Sequence, residues 1–188
     1  MKNALMLALV ISFLAIPALA VPENITTDLY KVSFDMGLPR GYFEIDIRDP
    51  VATESLAGNK STEYYIIMSN SSAGNLFQEI AIHISLNEEN VTTDTEFMRI
   101  ALKADLQDLT AQNIESTTRE IDGVNGAIAS GDLPTGLPFG PETVENYHVR
   151  YNPLFDPNHI VIDIDILDIP WDEGALQLLK TIHIEKAG

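Results

Sequence analysis

The chain has 188 residues, no cysteine, and 28 acidic against 11 basic residues, which gives a formal net charge of −17 at pH 7. The lack of cysteine excludes disulfides, thiolate metal sites and thiol nucleophiles. A field of this sign opposes binding to nucleic acid and favours cations and basic partners, although it also serves solubility alone.

Residues 1–20 have the composition of a secretory signal peptide. A lysine at the second position precedes an almost unbroken apolar run from Ala4 to Ile16, then Pro17 and the small-residue ending Ala18-Leu19-Ala20. We expect cleavage before Val21, which leaves 10 basic and 28 acidic residues and a formal charge of −18. The alternative is an uncleaved anchor, against which Pro17 argues because it breaks a helix near its end. The segment predicts a secreted or cell-envelope protein.

Four Asn-x-Ser/Thr sequons fit an exported protein. Each falls in a predicted loop or at the edge of a predicted element, where a glycan does not disturb packing. We expect at least one to be modified in a host that has the machinery. The candidate residues are Asn24, Asn59, Asn70 and Asn90.

The first part of the mature chain predicts four strands. Period-two alternation in Tyr30–Phe34 and Phe43–Ile47, separated by the turn Gly37–Gly41, predicts an antiparallel hairpin. Val51–Lys60 is predicted to be a polar loop. The β-favouring run Thr62–Ser69 predicts a third strand. A fourth is predicted after a turn at residues 70–75 by alternating Ile80, Ile82, Ile84 and Leu86.

The pattern then changes to helical spacing. Thr93-Asp-Thr-Glu96 is a capping box, in which a hydroxyl and a carboxylate satisfy each other's backbone amides. It predicts the start of an amphipathic helix that ends near Gln112. The apolar face is predicted to contain Phe97, Ile100, Ala101, Ala104 and Leu109.

The rest of the chain predicts further strands and a second helix. Asp122-Gly123 is a hairpin turn signal between Ile114–Asp122 and Val124–Ser130. A loop at Gly131–Pro141, strands at Asn146–Tyr151 and His159–Leu167, and a short helix opened by Pro170 follow. Together they predict the α+β class, with a single, mainly antiparallel sheet of about seven or eight strands and two helices packed on it. No composition shift divides residues 21–188, so we expect one domain.

Several short motifs carry a family resemblance. They are Tyr30-Lys-Val-Ser-Phe34, Ile121-Asp122-Gly123 with Gly126 and Ala127, and Trp171-Asp-Glu-Gly174 with Leu178-Leu179-Lys180-Thr181-Ile182. With the order of elements, they make nearly all of the mature chain resemble the PsbP-like α/β sandwich superfamily. The resemblance implies an antiparallel sheet with helices on its faces, and an accessory, binding or assembly role rather than catalysis. It matches no ligand residue of the photosystem member, which helps to retain calcium and chloride.

The most suggestive chemical feature is a carboxylate ladder at Asp163, Asp165 and Asp168. Alternate strand residues share a sheet face about 7 Å apart, so Asp163 and Asp165 with a loop oxygen are a candidate calcium site. The alternative is a solvated face opposite a stripe of isoleucines, with His148 or Arg150 of the preceding strand offsetting the acids.

Histidine chemistry gives a third hypothesis. His83 and His148 are predicted to share a sheet face, and His148 with Asp163 is a candidate hydrolase site, although solvent-facing strand positions are the better explanation of both histidines. The sequence holds no G-x-S-x-G elbow and no lysine-bearing phosphate loop. No catalytic residue is therefore assigned.

Partner contacts are predicted in two places. The loop Gly131–Pro141 carries Leu133, Leu137 and Phe139, which either form a docking surface or fold back onto the core. Trp171 is either a core residue or a partner contact. The leading hypothesis is an exported, non-enzymatic accessory or binding domain of a cell-envelope or extracellular complex, with a protein partner and no cofactor. A calcium-binding protein and a hydrolase remain the alternatives.

Overall fold

A computed structural model describes residues 23–38, 41–70, 78–138 and 140–188. The predicted signal peptide, Phe139 and most of the predicted turn after Asn70 lie outside these ranges. The strands are β1 (Glu23–Thr26), β2 (Tyr30–Phe34), β3 (Glu44–Ile47), β4 (Val51–Glu54), β5 (Lys60–Asn70), β6 (Gln78–Asn87), β7 (Gln112–Ile121), β8 (Val124–Pro134), β9 (Thr143–Tyr151), β10 (Ile160–Leu167) and β11 (His183–Lys186). The α-helices are α1 (Thr95–Asp108) and α2 (Leu176–Thr181), the latter preceded by one π-helical turn at Trp171–Ala175.

The strands form two antiparallel sheets rather than the single predicted sheet. The main sheet has eight strands in the order β3-β5-β6-β10-β9-β8-β7, with β4 also paired to β5, and the small sheet has the order β1-β2-β11. Within the described residues, the antiparallel pairing and the two predicted α-helices are confirmed. The single-sheet prediction is wrong because β2 pairs with β1 and with β11, which the sequence pattern did not reveal.

One face of the main sheet, the inner face, packs against the small sheet. The alternating isoleucines of β10 lie fully buried there, and Tyr30 of β2 meets Tyr64 of β5 edge to face at 5.2 Å between ring centroids. Leu178 and Leu179 of α2 belong to the same buried cluster. The two sheets therefore share one hydrophobic core, which removes their apolar faces from water.

The opposite, outer face of the main sheet is partly covered by α1. Met98, Leu102 and Leu106 of this helix pack on Ala127 and Ala129 of β8. These alanines leave space for the helix to approach the sheet, because their side chains end at Cβ. The helix therefore lies over β7, β8 and part of β9.

The predicted apolar face of this helix is wrong. Phe97 and Ile100 are 60 % and 56 % exposed, and Ala104 and Leu109 are also exposed. The helix has two apolar stripes, and the one that fits the small residues of β8 is buried. The predicted cap is also shifted, because Asp94 rather than Thr93 accepts hydrogen bonds from the amides of Glu96 and Phe97.

Two predictions for the early strands are wrong. Tyr30–Phe34 and Phe43–Ile47 do not form a hairpin, since β2 lies in the small sheet and β3 pairs with Ile66–Ser69 of β5. The predicted polar loop contains β4, which pairs with the start of β5. The alternating Ile45 and Ile47 are 42 % and 46 % exposed, because β3 lies at an edge of the main sheet.

The later elements follow the sequence more closely. The hairpin at Asp122-Gly123 is confirmed, with φ angles of 51° and 75° that suit a tight two-residue turn. The predicted strands that became β9 and β10 pair antiparallel, and Pro170 precedes the last helical segment. The predicted Gly131–Pro141 loop begins too early, since β8 continues to Pro134 by pairing with Thr143 of β9. No helix in the described ranges is both long and apolar enough to cross a membrane.

The fold separates the four sequons by accessibility. Asn24, Asn59 and Asn90 are exposed, whereas Asn70 is 8 % exposed at the end of β5. A glycan on Asn70 would displace packed neighbours. In a glycosylating host, we expect mass spectrometry of the folded, secreted protein to find glycan on Asn59 or Asn90 and none on Asn70. Modified Asn70 in correctly folded protein would contradict the buried position of this side chain.

Candidate functional site

A groove lies on the outer face of the main sheet, between α1 and the strands that the helix leaves uncovered. Its volume is about 420 Å³. The helix contributes Leu102, Asp105, Asp108 and Leu109, and the sheet contributes His83, His148, Val149, Arg150, Asp163 and Asp165. The groove thus combines a helical wall with a row of charged side chains on the sheet.

The strand register explains this row. Tyr65, His83, Asp163 and Arg150 occupy directly paired positions on β5, β6, β10 and β9. Two residues further along β10, Asp165 pairs with His148 of β9. Because alternate residues of a strand share a face, the buried isoleucines of β10 force its aspartates outward. The core and the charged row of the groove therefore lie on opposite faces of the same strands.

The carboxylate of Asp163 lies beside basic side chains of the two neighbouring strands. Arg150 donates from Nε to Asp163 Oδ1 at 2.6 Å, and His83 Nδ1 lies 3.9 Å from Asp163 Oδ2. The Asp163 side chain is 19 % exposed, so this pairing compensates a charge that is largely removed from water. Arg150 thus offsets Asp163 as the sequence alternative proposed.

Glu63 at the start of β5 anchors the other side of the His83 ring. Its Oε2 lies 2.5 Å from His83 Nε2, and its Oε1 accepts hydrogen bonds from Ser85 at 3.2 Å and from Ser61. Burial opposes ionisation of Glu63, but the bonds from Ser61 and His83 outweigh it and lower the pKa of this carboxyl. The His83 ring also stacks on Tyr65, with centroids 4.5 Å apart.

Asp165 has a different electrostatic environment. Its Oδ1 lies 3.3 Å from His148 Nε2, and half of its side chain remains exposed. Partial desolvation within the groove raises the pKa of Asp165, and Asp163 raises it further, against the lowering effect of His148. The two aspartates of the ladder are therefore not equivalent.

The predicted site residues are thus partly brought together. His83 and His148 share the outer face and the same groove, but His148 pairs with Asp165 rather than with Asp163. Asp163 and Asp165 lie side by side, each with its own partner. The described part of the chain contains no group of three or more acidic or histidine side chains placed to hold a metal ion.

Three groove or network residues were missed by sequence reasoning. Glu63 gave no signal because a single acid at a strand end is ordinary. Asp105 and Asp108 lie on a predicted helix, but the wrong choice of buried stripe concealed that they flank the groove. A search for a helical acid pair beside a buried stripe would have found them.

The predicted partner residues lie elsewhere. Leu137 is 43 % exposed, and Phe139 is outside the described residues. Leu133 is partly buried against the cluster that α1 forms with the alanines of β8. Trp171 is half-buried against the main core, 5.1 Å from the Tyr147 ring. Its role in partner binding stays a prediction.

Comparison with protein-family models, curated proteins and solved structures found no match. The resemblance to the PsbP-like superfamily therefore stays a prediction.

The Glu63 network generates a stability prediction. Glu63→Gln removes an ion that accepts several hydrogen bonds at a side chain only 10 % exposed, and we expect it to lower the free energy of unfolding by about 2 to 3 kcal/mol at pH 6. The hydrogen bonds from Ser61 and His83 hold the pKa of Glu63 in the folded protein below the ordinary value of a glutamate. The stabilisation is thus present above that value and is lost as pH falls through the folded pKa.

Urea unfolding followed by tryptophan fluorescence measures this effect. The difference between wild type and Glu63→Gln should shrink from pH 6 to pH 3, while Glu120→Gln, an exposed acid of β7, should match wild type. A difference that is equal at both pH values would contradict the role given to the Glu63 charge.

The calcium hypothesis has a direct test. If Asp163 and Asp165 bind calcium, calorimetric titration should give saturable heat that Asp163→Asn weakens at least several-fold, since each carboxylate supplies charge and ligand oxygens. Asp46→Asn, an exposed acid of β3, is the control. A flat titration of wild type would end the hypothesis.

Proposed function

We propose that this protein is an exported, non-enzymatic binding domain of a cell-envelope or extracellular complex, and that the groove beside α1 receives a basic segment of a protein partner. The observation that carries the proposal is that both walls of the groove carry acidic side chains. Asp105 and Asp108 lie on the helix, and Asp163 and Asp165 lie on the sheet.

The charge of the groove favours a cationic segment. Its lining holds four carboxylates against one guanidinium, a formal charge of −3 with neutral histidines. Arg150 already pairs with Asp163, whereas Asp105 and Asp108 form no ion pair with a described residue. A lysine or arginine of a partner would supply the missing positive charge, and the chain's net charge of −17 would speed its approach.

The dimensions and apolar residues of the groove favour a peptide. The helical wall of the groove runs from Leu102 in α1 to Leu109 just after it, a length of about 10 Å. About three residues of an extended peptide have the same length. Leu102 and Leu109 line the same wall, and Leu109 is 51 % exposed. The aliphatic stems of lysine and arginine pack on such residues while their charged ends reach the carboxylates.

The setting of the proposal comes from the sequence. The signal-like residues 1–20 and the four sequons support export, and an accessory or assembly role is what the PsbP-like resemblance implies. The described residues that line the groove include no serine, threonine, cysteine or lysine to act as a nucleophile. Binding is thus the role that these side chains support best.

Affinity capture from an envelope fraction tests the proposal. Wild-type protein should recover a reproducible partner that is released by salt, because screening weakens exposed charge contacts. Asp105→Asn with Asp108→Asn should reduce the recovery at least ten-fold. The matched control is Glu88→Gln with Glu89→Gln, which removes the same charge from exposed positions after β6.

The outcomes are distinct. Loss of the partner in the helix variant alone supports binding in the groove. Equal loss in both variants would show that only net charge matters, and failure to recover any reproducible partner would contradict the proposal.

A further inference from the structure

A second cleft lies on the inner face of the main sheet, where β7, β8 and β9 extend beyond the small sheet and meet the turn that contains Trp171. Its volume is about 290 Å³. It is lined by Glu115, Ser116, Thr117, Ile128, Ser130, Tyr147 and Trp171. A smaller hollow of about 160 Å³ adjoins it and shares Glu115, Ser130 and Tyr147.

Two aromatic rings form a fixed wall of the cleft. The rings of Tyr147 and Trp171 are 5.1 Å apart between centroids, and the Tyr147 hydroxyl donates to Glu145 Oε2 at 3.1 Å. Burial first, and then Glu145, raise the pKa of Tyr147 to about 12, so the hydroxyl remains a donor at neutral pH. Arg119 lies over the Trp171 ring at 5.3 Å but is not one of the residues that line the cleft.

The polar lining carries only negative charge. Glu115 lines both hollows, and the smaller one adds Asp132 and Glu145, which are directly paired on β8 and β9. Like charges at such positions repel. Their described partners are neutral: Asn113 donates to Asp132 at 2.7 Å, and Tyr147 donates to Glu145. No lysine, arginine or histidine of the described residues lines either hollow.

We propose that this cleft binds a small organic cation, with an alkylated ammonium group held against Tyr147 and Trp171 and its charge facing Glu115. Aromatic faces attract such cations, and they suit methylated nitrogen because it has no need of a full set of hydrogen-bond acceptors. A metal ion would require several converging oxygens, which the described acids do not provide. A neutral sugar would stack on the rings but leave the negative charge unmatched.

The single tryptophan of the chain provides the readout. Choline is the probe, and 3,3-dimethylbutan-1-ol is its uncharged counterpart of the same shape. Titration of the full mature protein should change Trp171 fluorescence saturably with choline and at least ten-fold more weakly with the alcohol. Glucose is titrated in parallel. A response to the alcohol equal to that of choline, a response to glucose alone, or no saturable response would overturn the proposal.

Matched variants locate the binding. Glu115→Gln should weaken choline binding at least five-fold, while Glu120→Gln, which removes the same charge from the outer face of the same strand, should leave it unchanged. Tyr147→Phe keeps the ring and serves if Glu115→Gln fails to fold; it should retain the preference for choline over the alcohol. Equal weakening by both glutamate variants would overturn the assignment to this cleft. Asp105→Asn with Asp108→Asn should leave choline binding intact, which separates this site from the groove beside α1.

Discussion

The alternation of isoleucine and aspartate on β10 is the constraint on which the rest of the structure depends. This strand lies between β6 and β9 in the main sheet, and its isoleucines at 160, 162, 164 and 166 are fully buried in the core. Their burial leaves the outer face for Asp163 and Asp165, because neighbouring residues of a strand point in opposite directions. A shift of one residue would place both carboxylates in the core and is therefore excluded. The polar row beside α1 follows from the same register that builds the interior.

The position of α1 depends on a second local property, the small residues of β8. Ala127 and Ala129 are fully buried beneath Met98, Leu102 and Leu106. This contact places the helix over β7, β8 and part of β9, and no other helix of the described residues covers β5, β6 or β10 on this face. The exposed acids of the last helical turns then border the groove. The packing of α1 on the two alanines thereby determines which acidic side chains border the groove.

The sequence predicts those parts of the fold whose signals are local. The alternation in β10 and the turn at Asp122-Gly123 specify a strand and a hairpin within short segments, and both are confirmed. Of the two partners of β2, β11 lies far along the chain and has one buried residue, Ile184, and the neighbouring β1 also has only one, Ile25, so neither pairing leaves a local pattern. The edge strand β3 shows the same problem, because its alternation resembles that of a half-buried strand although both faces are exposed.

The candidate site was predictable to the extent that it belongs to single strands. The shared face of Asp163 and Asp165 follows from their spacing alone, and Arg150 is close to them because successive strands are joined by a short loop. The contribution of Glu63 depends on the register of β5 against β6, and that of Asp105 and Asp108 depends on which helical stripe is buried. In both cases the local sequence fits two alternatives, two strand registers or two buried stripes, about equally well. The packing of the whole core decides between them.

Both clefts arise from the unequal widths of the layers. Among the described residues, the main sheet has eight strands, the small sheet has three, and α1 is the one helix that covers the outer face. Each covering layer therefore ends partway across the main sheet, and a concave step forms where it ends. On the outer face, the step lies beside α1 and is lined by the ion-paired Asp163 and by Asp105 and Asp108, which have no ion-pair partner among the described residues; on the inner face, it lies beside Trp171 and is lined by aromatic rings and Glu115. Such a step is open to solvent on one side, so a polar side chain there costs less than in the core, and the largely buried Asp163 is compensated by Arg150. The residues of the steps can therefore change in chemistry while the isoleucines of β10 and the alanines of β8 keep the layers in place.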